Sequence, residues 1–235
     1  MTRPTSRTIS ATAIAVVIGA LAMTASATSL GGIDVADLFA WSAAVTVPIP
    51  DDIAADDFTC SGNLHGQPDD LGNVWADHGG DWQCLGSGEV RARQRLTLGH
   101  ATVDLGVSDQ VKVSAVLTSI STQPNRSGPG VSFLSDGISH MYAIYQRDQG
   151  RLILGKREIA IDTAMAAVTI ADRATSEIRV EVDQPEIRVL VDGVNVISHT
   201  MTATEMILFG SNTRFGLEAD NDNQSRFDWF RAESS

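Results

Sequence analysis

The pattern of apolar and polar positions from residue 89 onward predicts a series of short β-strands. Runs rich in β-branched residues recur about every ten residues, with Gly, Asp, Asn or Pro between them, which is typical of a β-sandwich or barrel. Beyond the N-terminal region, only residues 160–167 suggest a helical apolar period, so we expect little helix. The predicted strands cover residues 89–98, 110–120, 130–135, 140–147, 151–158 and 167–172.

Residues 177–200 carry the clearest local pattern. Ile178, Val180 and Val182 alternate with charged residues, which predicts a strand with one buried and one solvated face. Asp192-Gly193 then separates "IRVLV" from "VNVIS", as expected for a two-residue hairpin turn of type I′. Two further strand-like stretches, "RFGLEAD" and "SRFDWFRAES", end the chain.

The first 27 residues have the layout of a secretory signal helix. Two arginines precede an apolar run at 11–23, and Ala25-Ser26-Ala27 follows. That run suits a signal peptide and is short for a membrane span, which needs about 20 residues. We expect cleavage after Ala27, which leaves no stable membrane span and a secreted or cell-surface protein; an uncleaved anchor is the alternative. Small residues and prolines predict a linker over 28–55, followed by one domain at 56–235.

The charge of the chain argues against a nucleic-acid partner. The formal net charge is -12, and removal of a signal with two arginines and no acid changes it to -14. An acidic surface is repelled by phosphates, which proteins usually meet with clustered Lys and Arg. The predicted domain is long enough to form a single β-sandwich with a sizeable core.

Several stretches of the chain have a familiar order. They are "DDF" at 56–58, the Trp-Gly pattern of 64–82, the segment 130–156, "IRVLVDG" at 187–193, and "RFGLEAD" with "SRFDWF" within 214–230. Together they resemble the concanavalin A-like jelly roll and, more narrowly, the laminin-G-like domains of secreted or surface proteins of bacteria and phages. The resemblance implies an all-β fold of two antiparallel sheets packed face to face, with the first and last strands as neighbours. It also implies that Phe58, Phe227, Trp229 and Phe230 pack where the ends of the domain meet.

The same resemblance implies a carbohydrate partner. Jelly rolls of this kind commonly bind sugar on a concave face, where an exposed aromatic ring stacks on the apolar side of a pyranose. The candidates for stacking are Trp75, Trp82, Tyr142 and Tyr145, although each residue type is also common in the core.

The sequence does not favour an enzyme. Glycoside hydrolases use a pair of carboxylates, and laminarinase-like enzymes carry theirs on one strand as Glu-x-Asp-x-x-Glu. That string occurs here at residues 181–186, but Pro185 interrupts the strand pattern, so we interpret the acids of 177–183 as the solvated face of a strand. We assign no catalytic residue and favour an exported, non-catalytic module that binds carbohydrate or another extracellular polymer. Two alternatives stay open: a glycan-acting hydrolase of the same fold, and a structural or adhesive component of a cell-surface or virion assembly.

The sequence favours calcium over a transition metal as a cofactor. Acid-rich loops offer the hard oxygen ligands that Ca²⁺ prefers, and the candidate ligands are Asp69, Asp70, Asp220 and Asp222. Asp and Asn also populate plain turns for backbone reasons, so a turn is the competing interpretation.

The only two cysteines, Cys60 and Cys84, flank a stretch that contains His65 and His78. The gaps between these four residues do not match the close ligand pairs of zinc sites. In an oxidising compartment, two cysteines most simply form one disulfide. We therefore predict a Cys60–Cys84 disulfide and keep zinc as the weaker alternative.

Overall fold

The computed structural model describes residues 52–94, 99–120, 128–220 and 222–234. In these residues the chain forms two antiparallel sheets, which confirms the all-β sandwich. The signal prediction and most of the linker prediction lie outside them, and the first strand begins at Asp52, inside the predicted linker. No helix in these ranges has the length and apolarity to cross a membrane.

One sheet has nine strands in the order β14-β13-β12-β7-β16-β5-β4-β2, and β1 also pairs with β16. The strands are β1 (Asp52–Asp56), β2 (Ser61–Asn63), β4 (Trp82–Leu85), β5 (Val90–Ala92), β7 (Val111–Ser119), β12 (Ser176–Asp183), β13 (Glu186–Val191), β14 (Val194–Thr200) and β16 (Arg226–Ser234).

The other sheet has seven strands in the order β11-β10-β9-β8-β15-β6-β3. These are β3 (Ala76–Asp77), β6 (His100–Asp104), β8 (Gly128–Ser135), β9 (His140–Gln146), β10 (Arg151–Glu158), β11 (Ile161–Thr169) and β15 (Arg214–Asp220).

The two ends of the domain meet in the nine-stranded sheet. Asp56 of β1 lies opposite Phe230 of β16, so the first and last strands are neighbours, as the resemblance implies. Phe58, Phe227 and Phe230 are fully buried. Trp229 is partly exposed, and the guanidinium of Arg231 lies 5.6 Å from its ring centroid. Three of the four aromatic residues are therefore buried, as predicted for the region where the ends of the domain meet.

The hairpin at 192–193 has the predicted turn. Val191 pairs with Val194, so the loop contains two residues. Both have positive φ, 48° at Asp192 and 79° at Gly193, as a type I′ turn requires.

Two local predictions differ from the structure. Residues 161–169 form β11, paired along its length with β10, so the suggestion of helix there is wrong. Within the described ranges an α-helix lies instead at Ala203–Phe209, here called α1, where Thr202 and Glu205 form a capping box. A short 3₁₀ turn at Arg147–Gln149 also joins β9 to β10.

Cys60 and Cys84 form the predicted disulfide, with their Cα atoms 5.5 Å apart. The bond joins the chain just before β2 to β4. Because both sulfurs are used in this bond, no free thiolate is left for a zinc ion, and the alternative zinc site is wrong.

Candidate functional site

The seven-stranded sheet presents polar side chains on the face opposite the inter-sheet core, here called the outer face. Met141, Leu154 and Leu217 belong to the core. Because side chains alternate along a strand, their neighbours point to the other side of the sheet. The outer-face residues include His100, Thr102, His140, Tyr142, Arg157 and Glu218, all of them buried.

Three histidines form a continuous row along this face. The ring centroids of His78 and His100 are 4.8 Å apart with the rings stacked, and those of His100 and His140 are 4.1 Å apart. His78 is partly exposed, whereas His100 and His140 are buried. The row therefore runs from the partly exposed edge of the sheet to a buried centre.

Glu218 lies at the buried end of the row. One of its carboxylate oxygens, Oε2, is 3.0 Å from Nε2 of His140, and Oε1 is 3.4 Å from Nη1 of Arg157. The same guanidinium binds Asp162 through two contacts, of which Nη2–Oδ2 is 2.8 Å. Such bidentate pairs fix both partners firmly, so Asp162 holds Arg157 in place.

Burial dominates the electrostatics of this centre. It raises the pKa of Glu218 to about 7, against the opposing effect of His100 and Arg157. It lowers the pKa of His140 to about 3, and the charge of Arg157 acts in the same direction. The pKa of His78 is also lowered, by burial first and then by Arg214. All three shifts disfavour charge, as expected where water is excluded.

Glycines on this face allow neighbouring backbone carbonyls and an aromatic ring to approach the chain closely. A Cβ atom on Gly155 would lie 2.4 Å from the ring of Tyr142. On Gly130 and Gly216 it would lie 1.9 Å from the carbonyl oxygens of Ala143 and Ala101. Glycine is therefore required at these positions because neighbouring groups approach too closely for any side chain.

An open depression of about 500 Å³ lies beside the exposed end of the histidine row. His78 sits in sequence between two of its lining residues, and the imidazole of His65 lines it directly. The backbone N–H of Asp77 donates to Nδ1 of His65 at 3.1 Å, so Nε2 is the protonated, donating nitrogen of the neutral ring. The lining residues are His65, Asp77, Gly79, Gly80, Asp81 and Gln94.

A second depression, of about 240 Å³, lies on the nine-stranded sheet among charged residues that include Lys112, Glu181 and Arg188. Arg188 and Glu181 form a loose ion pair at 3.8 Å, as is common on a solvated sheet surface. This depression adjoins no buried polar cluster in the part of the chain that the structure describes. We therefore regard the first depression as the candidate site.

The four predicted stacking residues are all buried. Trp75 donates to Asp56 at 2.6 Å, and Trp82 donates to the carbonyl oxygen of Gly79 at 3.1 Å. Tyr145 uses its hydroxyl on the backbone of Ala171. These three belong to the inter-sheet core. Because a ring without an exposed face cannot stack on a sugar, we do not include them in the candidate site.

Tyr142 is the one predicted stacking residue that lies on the outer face. It is 5 % exposed, and the guanidinium of Arg157 covers its ring at 5.7 Å from the centroid. Its ring is therefore used in a contact within the protein, and its role in stacking stays a prediction.

Three of the four predicted calcium ligands accept hydrogen bonds within the protein. Asp69 accepts hydrogen bonds from the backbone of Ala55, Leu71 and Asn73. Asp70 accepts one from the backbone of Asp57. Asp222 binds the backbone and hydroxyl of Ser225. Asp220 ends β15, and its side chain lies outside the description. In the described ranges, these acids do not gather into a group of three or more metal-ligating side chains.

Sequence reasoning missed the polar centre of the outer face. His100, His140 and Glu218 are far apart in the chain and come together only through the order of the strands. One signal was present: Glu218 follows Gly216 and Leu217 and precedes Ala219 in the strand-like stretch "RFGLEAD". A charge at such a position needs a partner, because an unpaired buried charge is costly.

Comparison with solved structures supports the fold. The carbohydrate-binding module CBM66 from Bacillus subtilis superposes with a TM-score of 0.51 at 17% identity, over 74% of this chain and 98% of that one. The GH43 protein BlXynB from Bacillus licheniformis has a TM-score of 0.54 at 14% identity, over 77% of this chain but only 39% of its own length. At such identities the likeness establishes a concanavalin A-like sandwich fold alone.

A third structure, described with the endo-acting O-glycanases of human gut microbiota, has a TM-score of 0.52 at 11% identity and covers 78% of this chain and 99% of that one. No family model matches this sequence, and no curated protein matches it. The narrower laminin-G-like assignment stays a prediction.

Proposed function

We propose that this chain is an exported, non-catalytic module that binds carbohydrate in the depression beside His78. The observation that carries the proposal is the lining of that depression, in which hydrogen-bonding side chains and two glycines surround an open space of about 500 Å³. Sugars present many hydroxyls and need donors and acceptors in fixed positions. Volumes of a few hundred Å³ suit small-molecule ligands.

The lining supplies both kinds of hydrogen-bonding group. Nε2 of His65 donates, as the contact at its Nδ1 indicates. Gln94 is exposed, and its amide offers donors and an acceptor. Asp77 is held by Gly79 and Trp82, whose backbone N–H groups donate to its carboxylate at 2.7 and 3.1 Å. The carboxylate of Asp77 is therefore fixed in position, and the side chains of His65 and Gln94 are available to bind a ligand.

Two further observations support a binding module. CBM66 and a GH43 protein share the fold, which makes a carbohydrate partner reasonable by analogy. The Cys60–Cys84 disulfide is consistent with an oxidising compartment outside the cytosol. Export itself stays a prediction, because the signal segment lies outside the described residues.

A hydrolase would need two carboxylates on either side of an open cleft. Glu218 has the raised pKa of a general acid, but it is fully buried. Asp162, the nearby exposed acid, is bound by Arg157. On the outer face, the described residues therefore favour binding over hydrolysis.

The second depression is also lined by carboxylates, those of Glu181, Asp183 and Glu186. They are divided between β12 and β13, where Asp183 lies opposite Glu186, and so do not share one strand.

The proposal is tested with a glycan array, followed by calorimetry with the best ligand. We expect His65→Ala and Gln94→Ala each to weaken binding about tenfold, the loss of roughly one hydrogen bond. Asp183→Ala, in the second depression, is the matched control and should bind like the parent chain.

Three outcomes would contradict the proposal. The first is no glycan binding with a folded monomer. The second is loss of binding in the Asp183 variant alone, which would move the site to the nine-stranded sheet. The third is release of reducing sugar from the bound polysaccharide, which would make the protein an enzyme. Self-association in size-exclusion chromatography without glycan binding would favour the assembly alternative.

A further inference from the structure

His100, His140 and Glu218 bring three metal-ligating groups together on the outer face. They come from β6, β9 and β15, and one ligand atom of each lies within 4.8 Å of the others. Their exposed fractions are 1%, 0% and 0%. The strands on which they lie are rigid, so the three groups are held in place before any ligand arrives.

The hydrogen bonding of this cluster is incomplete. Both ring nitrogens of His140, and Oε2 of Glu218, are buried and make no hydrogen bond within the described structure. The 3.0 Å between Nε2 and Oε2 is short enough for a hydrogen bond, but the two groups are not oriented for one. Buried polar groups in native proteins almost always have a partner, so the unpaired atoms of His140 and Glu218 indicate a ligand beside them.

The surrounding charges permit a cation. Arg157 is the nearest positive group, and its contact with Glu218 is long, at 3.4 Å. Asp162 neutralises it through a bidentate contact. The Arg157–Asp162 pair therefore contributes no net charge, and Glu218 supplies the one carboxylate that faces two imidazoles.

We propose that His100, His140 and Glu218 form a binding site for a divalent transition metal ion of the zinc type. Imidazole nitrogen suits Zn²⁺ and its neighbours in the first row, and two imidazoles with one carboxylate are a recurrent set for such ions. Calcium prefers oxygen ligands alone, so it fits this set poorly. Three protein ligands leave a fourth position on the ion for a water molecule or a ligand hydroxyl.

A hydroxyl group lies next to the proposed site. Ser135 Oγ is 3.3 Å from Nε2 of His100 and also accepts the backbone N–H of Gly137 at 2.9 Å. Metal-binding histidines are usually oriented by a contact of this type at the edge of the site. Ser135 is then a positioning residue for the His100 ring.

The test uses the full chain without a histidine tag and without any sugar, so its result does not depend on the proposed carbohydrate function. Protein purified from medium that contains zinc should hold about one equivalent of metal by mass spectrometry. After chelator treatment, Co²⁺ should produce visible absorption bands at one equivalent. His140→Gln and Glu218→Gln should each weaken metal affinity by at least about 100-fold, while His199→Gln, on the other sheet, should leave it unchanged.

X-ray absorption on the unmodified protein provides a measurement that does not require a variant to fold. We expect two imidazole ligands and no sulfur. A parent chain that is folded but binds no metal, a spectrum without two imidazoles, or variants that bind as tightly as the parent chain would each overturn the proposal.

Discussion

Glu205 connects α1 to both sheets through one carboxylate. It accepts the backbone N–H of Thr202 at 2.9 Å, and it lies 3.0 Å from Nε2 of His199 on β14 and 3.3 Å from Nζ of Lys156 on β10. Burial alone would raise its pKa, but these contacts outweigh burial and lower the pKa to about 2. The native state therefore favours the charged form of Glu205.

We predict that Glu205→Gln lowers the free energy of unfolding by about 2 kcal/mol at pH 7. A carboxylate with a lowered pKa stabilises the fold above its ordinary pKa of 4.5 and loses this effect as the pH falls toward 2. The difference between parent and variant should therefore shrink between pH 4.5 and pH 2. Urea unfolding at pH 7 and pH 3 measures it, with Glu233→Gln on β16 as the control. A difference that stays the same at both pH values would contradict this account.

The sequence alone predicts the contacts of some residues but not of others. The pairing of Cys60 with Cys84 followed from composition, because no other cysteine is present. The burial of Trp75 could not be predicted from composition, because a tryptophan on a strand can face either the core or the solvent. The structure buries it beside Phe58 and Phe230 and satisfies its N–H with Asp56, whose pKa burial raises to about 6.

At the scale of elements, local patterns were predictable and strand order was not. The Asp192-Gly193 hairpin could be read from the sequence because two adjacent residues determine its geometry. α1 was missed although Thr202 and Glu205 match the capping-box pattern, because the helix has only seven residues. The row of His78, His100 and His140 depends on β6 and β9 lying in one sheet, and single-sequence periodicity contains no such information.

The close approach of β15 and β6 leads to a prediction at the same scale. A Cβ on Gly216 would lie 1.9 Å from the carbonyl oxygen of Ala101, which the sheet cannot relieve without moving a strand. We expect Gly216→Ala to destabilise the fold by about 2–3 kcal/mol. Gly62→Ala is the matched control: its φ of 87° carries backbone strain but nothing lies within 4 Å, so about 1 kcal/mol is expected.

Urea unfolding of the two variants separates the contributions of contact and strain. If Gly216→Ala is no more destabilising than Gly62→Ala, the backbone of the outer face is less tightly packed than the structure indicates, and Glu218, two residues along β15, is less rigidly held.

At the scale of the whole molecule, the disulfide and the proposed sugar site belong to the same segment. The residues between Cys60 and Cys84 include His65, Asp77, Gly79, Gly80 and Asp81, which line the depression, as well as His78. This segment contains little regular structure, only β2, β3 and the start of β4. Its conformation therefore depends on closure at its ends more than on strand pairing within it.

We predict that replacing both Cys60 and Cys84 by serine lowers the free energy of unfolding by about 3.5 kcal/mol, the chain-entropy estimate for a closed loop of this length. Sugar affinity should fall as well, because the same closure holds the lining of the depression. Urea unfolding and calorimetry measure the two effects. Reductant should reproduce both in the parent chain and change neither in the double-serine variant. If stability falls but sugar affinity does not, the ligand binds outside the 60–84 segment, and the depression beside His78 is not its site.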